Sequence, residues 1–299
     1  MDKETRLRLA VQKSGRLTDP SLDLLNRCGL KLSRGKDQLL GFGENMPLDV
    51  LFVRDDDIPD LVQEDVCDLG LVGLNVLEER RLEMEARGAK ASFQTLRTLD
   101  FGRCRLSLAV PEGTTFEGPA SLSGKRIATT YPYTLAHYLR ERNIKAEIVT
   151  LSGAVEIAPR LGRADLICDL VSTGSTLQAN HLVEVETVLQ SHAVLIRTPV
   201  PLPAIKNEWA ERLLMRIDGV EQVKESKYIM LHAPRAALPA IRKLLPGSES
   251  PTIIPLEGSP ERVVVHAVCR ENVFWETLES LKKAGASAVL VLPVEKMLA

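Results

Sequence analysis

The 299-residue sequence lacks the features of a secreted, membrane-spanning or zinc-stabilised protein. Its five cysteines are scattered and form no C-x-x-C pair, so we expect reduced, buried side chains and no disulfide framework. The five histidines show no metal-ligand spacing. No apolar run approaches the roughly 18 residues of a membrane span, and the first residues form no apolar signal segment. These absences predict a cytoplasmic protein with no membrane partner.

An excess of charge of either sign is also missing. The formal net charge of -2 at pH 7 argues against a general role in binding nucleic acid or membrane surfaces. Hydrophobic residues make up 44% of the chain and charged residues 26%, which is ordinary for a globular protein. The length allows two or three domains.

Short apolar runs alternate with helical patterns over the first two-thirds of the chain, which predicts an α/β fold. Strands expected over 93–99 and 105–110 lead from a first lobe into a second. Strands expected over 183–188 and 193–196 return to the first lobe, and a helix is expected over 153–161. This pattern predicts two α/β lobes with a cleft between them.

The pattern changes after the proline-rich segment 198–203. The following elements have the order βαββαβ, which is typical of a ferredoxin-like module. The predicted domains are residues 1–95 plus 181–222 for lobe I, residues 96–180 for lobe II, and residues 225–299 for the C-terminal module.

The most informative stretch of the sequence runs from 165 to 177. The apolar run 166–171 is typical of a buried parallel strand, and a turn rich in hydroxyl groups follows it. Consecutive backbone N–H groups, a glycine and a helix start can cradle a phosphate. Asp169 could then bind the hydroxyls of a sugar that carries this phosphate. An ordinary strand–turn–helix junction with a Ser or Thr N-cap explains the same residues.

The arrangement of Asp169, Thr173, Gly174 and Thr176 resembles the phosphoribosyl-diphosphate (PRPP) loop of phosphoribosyltransferases. Further segments, in the same order along the chain, resemble the long form of ATP phosphoribosyltransferase, the first enzyme of histidine biosynthesis. These segments are 12–17, 53–59, 68–73, 153–160, 225–230 and 250–253. The resemblance covers essentially the whole chain.

This resemblance implies a core similar to periplasmic solute-binding proteins and a C-terminal regulatory domain. The implied reaction transfers the phosphoribosyl group of PRPP to N1 of the ATP adenine and releases pyrophosphate. The implied cofactor is Mg²⁺, carried mainly by the substrate pyrophosphate, and its protein ligands stay unknown. The implied partners are ATP, PRPP, histidine as inhibitor, and further copies of the chain in a dimer or hexamer.

The resemblance also implies roles for individual residues. Arg16 and Asp169 are the implied catalytic residues. The implied PRPP contacts are Asp169, Ser172, Thr173, Gly174, Ser175, Thr176 and Leu177. The implied nucleotide and phosphate contacts are Lys13, Arg16, Arg54, Gly73, Asn75 and Glu156. The implied histidine contacts are His232, Ser250, Thr252, Val268 and Ala288. Relatives can carry Asp at position 232, so His232 departs from the family pattern.

Taken without the resemblance, these residues have simpler interpretations. Lys13 and Arg16 could be solvated surface charges, and Glu156 a carboxylate that interacts with a helix N-terminus. The five C-terminal residues could be core residues or ends of elements. One carboxylate of the run Asp55–Asp57 is expected to cap the following helix, and none is assigned to a metal.

No nucleophile–base pair stands out, which suits a reaction that depends on aligned reactants and a stabilised leaving group. An alternative of a different class is a cytoplasmic two-lobed sensor that binds a small molecule and has a ferredoxin-like output module. A regulatory subunit that has lost activity is a third reading. The missing signal segment argues against the sensor, and retention of the PRPP-loop residues argues against lost activity.

Overall fold

A computed structural model describes residues 5–35, 38–223, 226–245 and 250–297, and only the backbone of residues 271–274. The chain divides into two compact units, Met1–Ala210 and Glu211–Ala299. The predicted start of the C-terminal module at 225 lies outside the described residues. Within the described ranges, no helix is long and apolar enough to cross a membrane.

The first unit alternates strands and helices. Its strands are β1 (Leu7–Gln12), β2 (Leu32–Ser33), β3 (Leu40–Gly43), β4 (Leu48–Val53), β5 (Leu69–Gly73), β6 (Gln94–Thr98), β7 (Cys104–Pro111), β8 (Arg126–Thr129), β9 (Glu147–Thr150), β10 (Leu166–Val171), β11 (Leu182–Ser191) and β12 (Ala193–Arg197). Its helices are α1 (Thr18–Arg27), α2 (Ile58–Gln63), α3 (Leu74–Ala86), α4 (Pro132–Glu141), α5 (Ser175–Ala179) and α6 (Ala204–Glu221), the last of which continues into the second unit.

Lobe I is built on a seven-stranded sheet with the order β2-β3-β4-β1-β5-β12-β6. Its central strands β4, β1 and β5 are parallel. The runs in these strands are apolar because both faces of the central strands are covered, and the core residues Ala10, Val72 and Val194 are fully buried. The carboxyl ends of the three parallel strands therefore meet at one edge of the sheet.

Lobe II is built on a five-stranded sheet with the order β11-β7-β10-β8-β9. The expectation that 183–188 returns to lobe I is wrong, because β11 pairs antiparallel with β7. The side chains of Val185, Val188 and Leu189 pack against the core of lobe II, which explains why this strand stays there. The chain returns to lobe I only with β12.

The helix expected over 153–161 is also absent. The backbone forms only a short 3-10 turn at Val155–Ile157. Gly153 and Ala154 both have positive φ, at 149° and 49°, and this conformation cannot enter a right-handed helix. A tight loop therefore lies where the helix was expected.

The second unit confirms the ferredoxin-like prediction. Its elements are β13 (Ser226–Pro234), α7 (Leu238–Leu244), β14 (Thr252–Leu256), β15 (Ser259–Arg270), α8 (Glu271–Lys283) and β16 (Ser287–Pro293). The sheet has the order β14-β15-β13-β16, and all its pairs are antiparallel. Alternate residues such as Ile229, Leu231 and Val265 are buried in the core beside Ile241 of α7 and Leu281 of α8.

A buried ion pair fixes the start of α6 to lobe I. The ammonium of Lys206 lies 3.0 and 3.1 Å from the two carboxylate oxygens of Asp68, and both residues are buried. Asp68 also accepts the backbone N–H of Arg8 at 2.7 Å. Both oxygens of the Asp68 carboxylate therefore have protein partners. Asp68 directly precedes β5.

Replacement of Lys206 by Met should destabilise the first unit by about 3–5 kcal/mol, because it leaves the Asp68 carboxylate buried without its counter-ion. Urea denaturation measures this change. The control is Arg103→Met, which breaks the exposed ion pair with Asp100 and should change stability by less than about 1 kcal/mol. Equal effects of the two substitutions would contradict the structural role of Lys206.

Candidate active site

The cationic residues predicted from the sequence meet at the carboxyl edge of the lobe I sheet. Lys13 and Arg16 lie in the turn after β1, Arg54 directly follows β4, and Gly73 ends β5. Because these strands are adjacent and parallel, the order β4-β1-β5 brings the three loops together. A Cβ atom on Gly73 would lie 3.8 Å from a terminal nitrogen of Arg16, so the guanidinium lies beside the end of β5.

The guanidinium of Arg16 lies on a half-buried side chain beside the end of β5. Its Nε is buried and has no hydrogen-bond partner among the described residues. A buried donor without a partner is costly, which makes it a candidate for an anionic ligand. Lys13 and Arg54, in contrast, are exposed at the same edge. This edge can therefore receive a group with several negative charges.

Asn75, predicted as a nucleotide contact, is buried with only 1% of its surface exposed. Its Oδ1 accepts the hydroxyl of Ser191 at 2.8 Å, and its Nδ2 donates to the hydroxyl of Tyr131 at 2.9 Å. A Cβ on Gly73 would lie 2.5 Å from this Oδ1, so glycine is needed there. Asn75 therefore links the lobes and leaves little of its side chain for a ligand.

The predicted phosphate cradle follows β10 in lobe II. Asp169, Glu156 and residues 170–177 line a cavity of about 330 Å³. The backbone N–H groups of Thr173, Gly174, Thr176 and Leu177 have no acceptor within the described part of the chain. Gly174 has φ +83°, a conformation that favours glycine. The helix α5 has only five residues. An anion would therefore be bound by the N–H groups of the turn and not by the dipole of a long helix.

Two carboxylates face this cavity. Burial raises the pKa of Asp169 above its ordinary value, and repulsion from Glu156 raises it further, while the N–H of Leu170 opposes the shift. Glu156 lies in the 3-10 turn after the Gly153–Ala154 loop, not in a helix. The pair is suited to ligand hydroxyl groups, which donate hydrogen bonds to carboxylates.

The lobes are joined beside the cleft by Glu79 of α3. Its carboxylate accepts the backbone N–H groups of Tyr133 and Thr134 at 2.9 and 2.8 Å and the hydroxyl of Thr134 at 2.6 Å. Burial raises the pKa of Glu79, and these three hydrogen bonds counteract the shift. A second cavity of about 540 Å³ lies here, lined by both lobes, including Tyr131 and Ser152.

Comparisons with known proteins agree with this geometry. The family model described as ATP phosphoribosyltransferase matches residues 54–219, and the model described as "HisG, C-terminal domain" matches residues 224–296. The chain belongs to the ATP phosphoribosyltransferase family. It is therefore a phosphoribosyltransferase of the first step of histidine biosynthesis.

Solved structures of related fold were also found. An ATP phosphoribosyl transferase (HisG:HisZ) complex from Thermotoga maritima is 27% identical, with 71% of this chain and 98% of that chain covered and a TM-score of 0.58. The alkanesulfonate-binding protein SsuA from Xanthomonas axonopodis pv. citri is 13% identical, with 73% of each chain covered and a TM-score of 0.45. The aliphatic sulphonate binding protein SsuA from Escherichia coli is 13% identical, with 72% and 68% covered and a TM-score of 0.46.

Several contacts of the candidate site were missed by the sequence analysis. Arg105 of β7 forms an ion pair with Glu184 and donates to the carbonyl of Ser172 at 3.3 Å, so it supports the cradle from behind. The capping role expected within Asp55–Asp57 is wrong, because Asp57 precedes α2 without a side-chain cap. Asp55 instead accepts a hydrogen bond from Gln12 at 2.9 Å. These contacts join residues distant in sequence and leave no local signal.

The residues expected to bind histidine fall at two ends of the C-terminal sheet. Val268 on β15 lies next to the start of β14, which carries Thr252 and follows Ser250. His232 pairs with β15 four residues before Val268 and lies beside Ala288 on β16. Four strand residues span about 13 Å, so within one chain the five residues form two groups.

The raised pKa of Asp169 predicts a pH-dependent cost to stability. Because the folded-state pKa lies above the unfolded one, the folded protein binds more protons in that interval and loses stability as pH rises through it. Asp169→Asn should therefore raise the melting temperature at pH 7, and the gain should shrink as pH falls toward the unfolded pKa of about 3.9.

Thermal unfolding at several pH values measures this effect, with exposed Glu64→Gln as the control. The control should leave the pH profile nearly unchanged. A lower melting temperature of Asp169→Asn at pH 7 would contradict the prediction that the ionised Asp169 carboxylate destabilises the folded protein.

Proposed function

We propose that the chain transfers the 5-phosphoribosyl group of PRPP to N1 of the ATP adenine, with release of pyrophosphate and dependence on Mg²⁺. The observation that carries the proposal is the pairing of two partial sites in one cleft-forming unit. Lobe II offers free N–H donors beside Asp169, and lobe I offers the cations at the end of its parallel strands. These are the groups that a phosphorylated sugar with a diphosphate leaving group requires.

Each residue has a distinct task in this proposal. The N–H groups of residues 173, 174, 176 and 177 hold the 5′-phosphate, and Asp169 with Glu156 accepts hydrogen bonds from the ribose hydroxyls. Arg16, helped by Lys13 and Arg54, offsets the charge that develops on the departing pyrophosphate. Catalysis then results from alignment of the adenine N1 with C1′ of the sugar, without a general base.

The described residues suit a metal ion that arrives with the substrate. They contain no group of three or more His, Cys, Asp or Glu residues that could hold an ion. Mg²⁺ commonly uses one or two protein carboxylates together with substrate phosphates, and Asp169 and Glu156 supply such a pair. Carried by the diphosphate group of the substrate, Mg²⁺ would neutralise charge on the leaving pyrophosphate.

Regulation by histidine is the second part of the proposal. The C-terminal unit is a separate ferredoxin-like fold, and the proposed cleft needs none of its residues. We place histidine at the end of the sheet with Ser250, Thr252 and Val268. Assembly into a homo-oligomer would give this unit a route to affect substrate binding. The related Thermotoga maritima structure is itself a complex.

Purified protein mixed with ATP, PRPP and Mg²⁺ should release pyrophosphate. Asp169→Ala should weaken PRPP binding by at least about tenfold, because a hydrogen bond to a charged group contributes roughly 1.5–3 kcal/mol. A coupled pyrophosphate assay and PRPP calorimetry measure the two effects. Glu147→Ala, an exposed carboxylate of the same lobe, is the control. Unchanged PRPP affinity in Asp169→Ala would refute the assignment of the loop.

Histidine should inhibit the reaction without occupying the PRPP site. Thr252→Ala should raise the inhibitory concentration at least about fivefold, the lower end of typical allosteric couplings. His232→Ala should retain inhibition, because its side chain lies at the other end of the sheet. Steady-state assays at several PRPP concentrations measure this. Full sensitivity in Thr252→Ala, or inhibition removed by excess PRPP, would contradict the proposed site.

A further inference from the structure

The side chain of Gln12 joins two loops at the proposed pyrophosphate edge. Gln12 ends β1 and is 8% exposed. Its Oε1 accepts the backbone N–H of Leu17 at 2.9 Å, and its Nε2 donates to Oδ2 of Asp55 at 2.9 Å. Both polar atoms of the amide are thus bonded to protein groups, one as donor and one as acceptor.

The first of these bonds shapes the turn that carries Lys13 and Arg16. Gly15 has φ +134°, and a Cβ atom at this position would lie 2.7 Å from Nε2 of Gln12. The hydroxyl of Thr18 donates to the backbone carbonyl of Gln12 at 3.1 Å. The turn 13–16 therefore packs tightly against the Gln12 side chain. Arg16 is the last residue of this turn, and the next residue, Leu17, donates its N–H to Gln12.

The second bond fixes the neighbouring loop. Asp55 directly follows Arg54, and the N–H of Lys13 donates to the carbonyl of Val53 at 2.7 Å. Beyond this backbone contact, the strands have ended and the loops diverge. The amide of Gln12 connects the two loops. One of its hydrogen bonds is to Asp55, the residue after Arg54, and the other is to Leu17, the residue after Arg16.

We propose that Gln12 is a positioning residue that sets the separation of Arg16 and Arg54, and thereby the affinity of this edge for the diphosphate group of the substrate. The inference rests on the proposed function, because it assigns the pyrophosphate to this edge. The amide supplies the donor for Asp55 and the acceptor for the N–H of Leu17 from one side chain. A carboxylate would keep the bond to Leu17 but would face Asp55 with a second negative charge, and a thioether would keep neither bond.

Three variants test the proposal in the full chain. Gln12→Met should raise KM for PRPP and weaken the binding of inorganic pyrophosphate by about tenfold or more, since small misplacements of binding groups have large effects, while kcat changes less. Gln12→Glu should show a similar loss. In an Asp55→Asn background the loss caused by Gln12→Glu should become much smaller, because the amide and carboxylate have exchanged places and one hydrogen bond is restored.

Asn45 offers a matched control. Its side-chain amide also joins two segments of lobe I, with Nδ2 donating to the carbonyl of Gly29 at 2.8 Å and Oδ1 accepting the N–H of Lys31 at 3.0 Å. Asn45→Leu should lower the melting temperature and leave pyrophosphate binding unchanged. Arg16→Ala is the positive control, in which pyrophosphate binding should fall strongly.

The outcomes separate this inference from the proposed function. Unchanged pyrophosphate affinity in Gln12→Met, or no recovery of Gln12→Glu in the Asp55→Asn background, overturns the positioning role. Equal losses in Asn45→Leu also overturn it, because they would reflect stability alone. If the native protein forms no product from ATP and PRPP, the proposed function fails, and the pyrophosphate titrations still decide the role of Gln12. If Gln12→Met does not fold, the Gln12→Glu pair decides it.

Discussion

The geometry of the cleft depends on one half-buried carboxylate, that of Glu79. Taking a carboxylate out of water opposes folding, and its raised pKa reflects that cost. Three hydrogen bonds from the first turn of α4 offset much of the cost, because the N–H groups there have no partners within their own helix. The same contact ties α3 of lobe I to α4 of lobe II. Asn75, one turn earlier on α3, adds the bond to Tyr131.

This tie determines what the two partial sites can do together. The cations lie on lobe I and the predicted phosphate cradle on lobe II, so the proposed PRPP site needs groups from both lobes. Burial raises the pKa of the Tyr131 hydroxyl, and the negative charges of Asp55 on lobe I and Asp169 on lobe II act in the same direction. The α3–α4 contact therefore places acidic groups of both lobes around one tyrosine at the cleft.

The sequence was informative wherever the chemistry is local. The predicted PRPP loop is contiguous, and Gly174 has the positive φ that a glycine in a tight turn suggests. The βαββαβ order also follows from local periodicity. The roles of Gln12, Glu79 and Arg105 could not be predicted, because their partners lie up to 79 residues away. Strand β11 was assigned to the wrong lobe because its residues suit either sheet, and only tertiary packing selects one. The helix expected over 153–161 does not form because Ala154 has a positive φ. An alanine in the sequence gives no sign of such a conformation.

A reaction that depends on alignment gives unusual weight to residues that touch no substrate. Where no general base has to be supplied, the protein contributes mainly distances and charges. Gln12 hydrogen-bonds two loops of lobe I, Glu79 hydrogen-bonds α4 of lobe II, and Arg105 donates to the carbonyl of Ser172 in the predicted cradle. Each of these three side chains hydrogen-bonds a backbone group: Gln12 the N–H of Leu17, Glu79 the N–H of Tyr133, and Arg105 the carbonyl of Ser172. Each therefore restrains the backbone of another segment. In the proposed reaction these supporting hydrogen bonds position the predicted contacts, although they lie outside them.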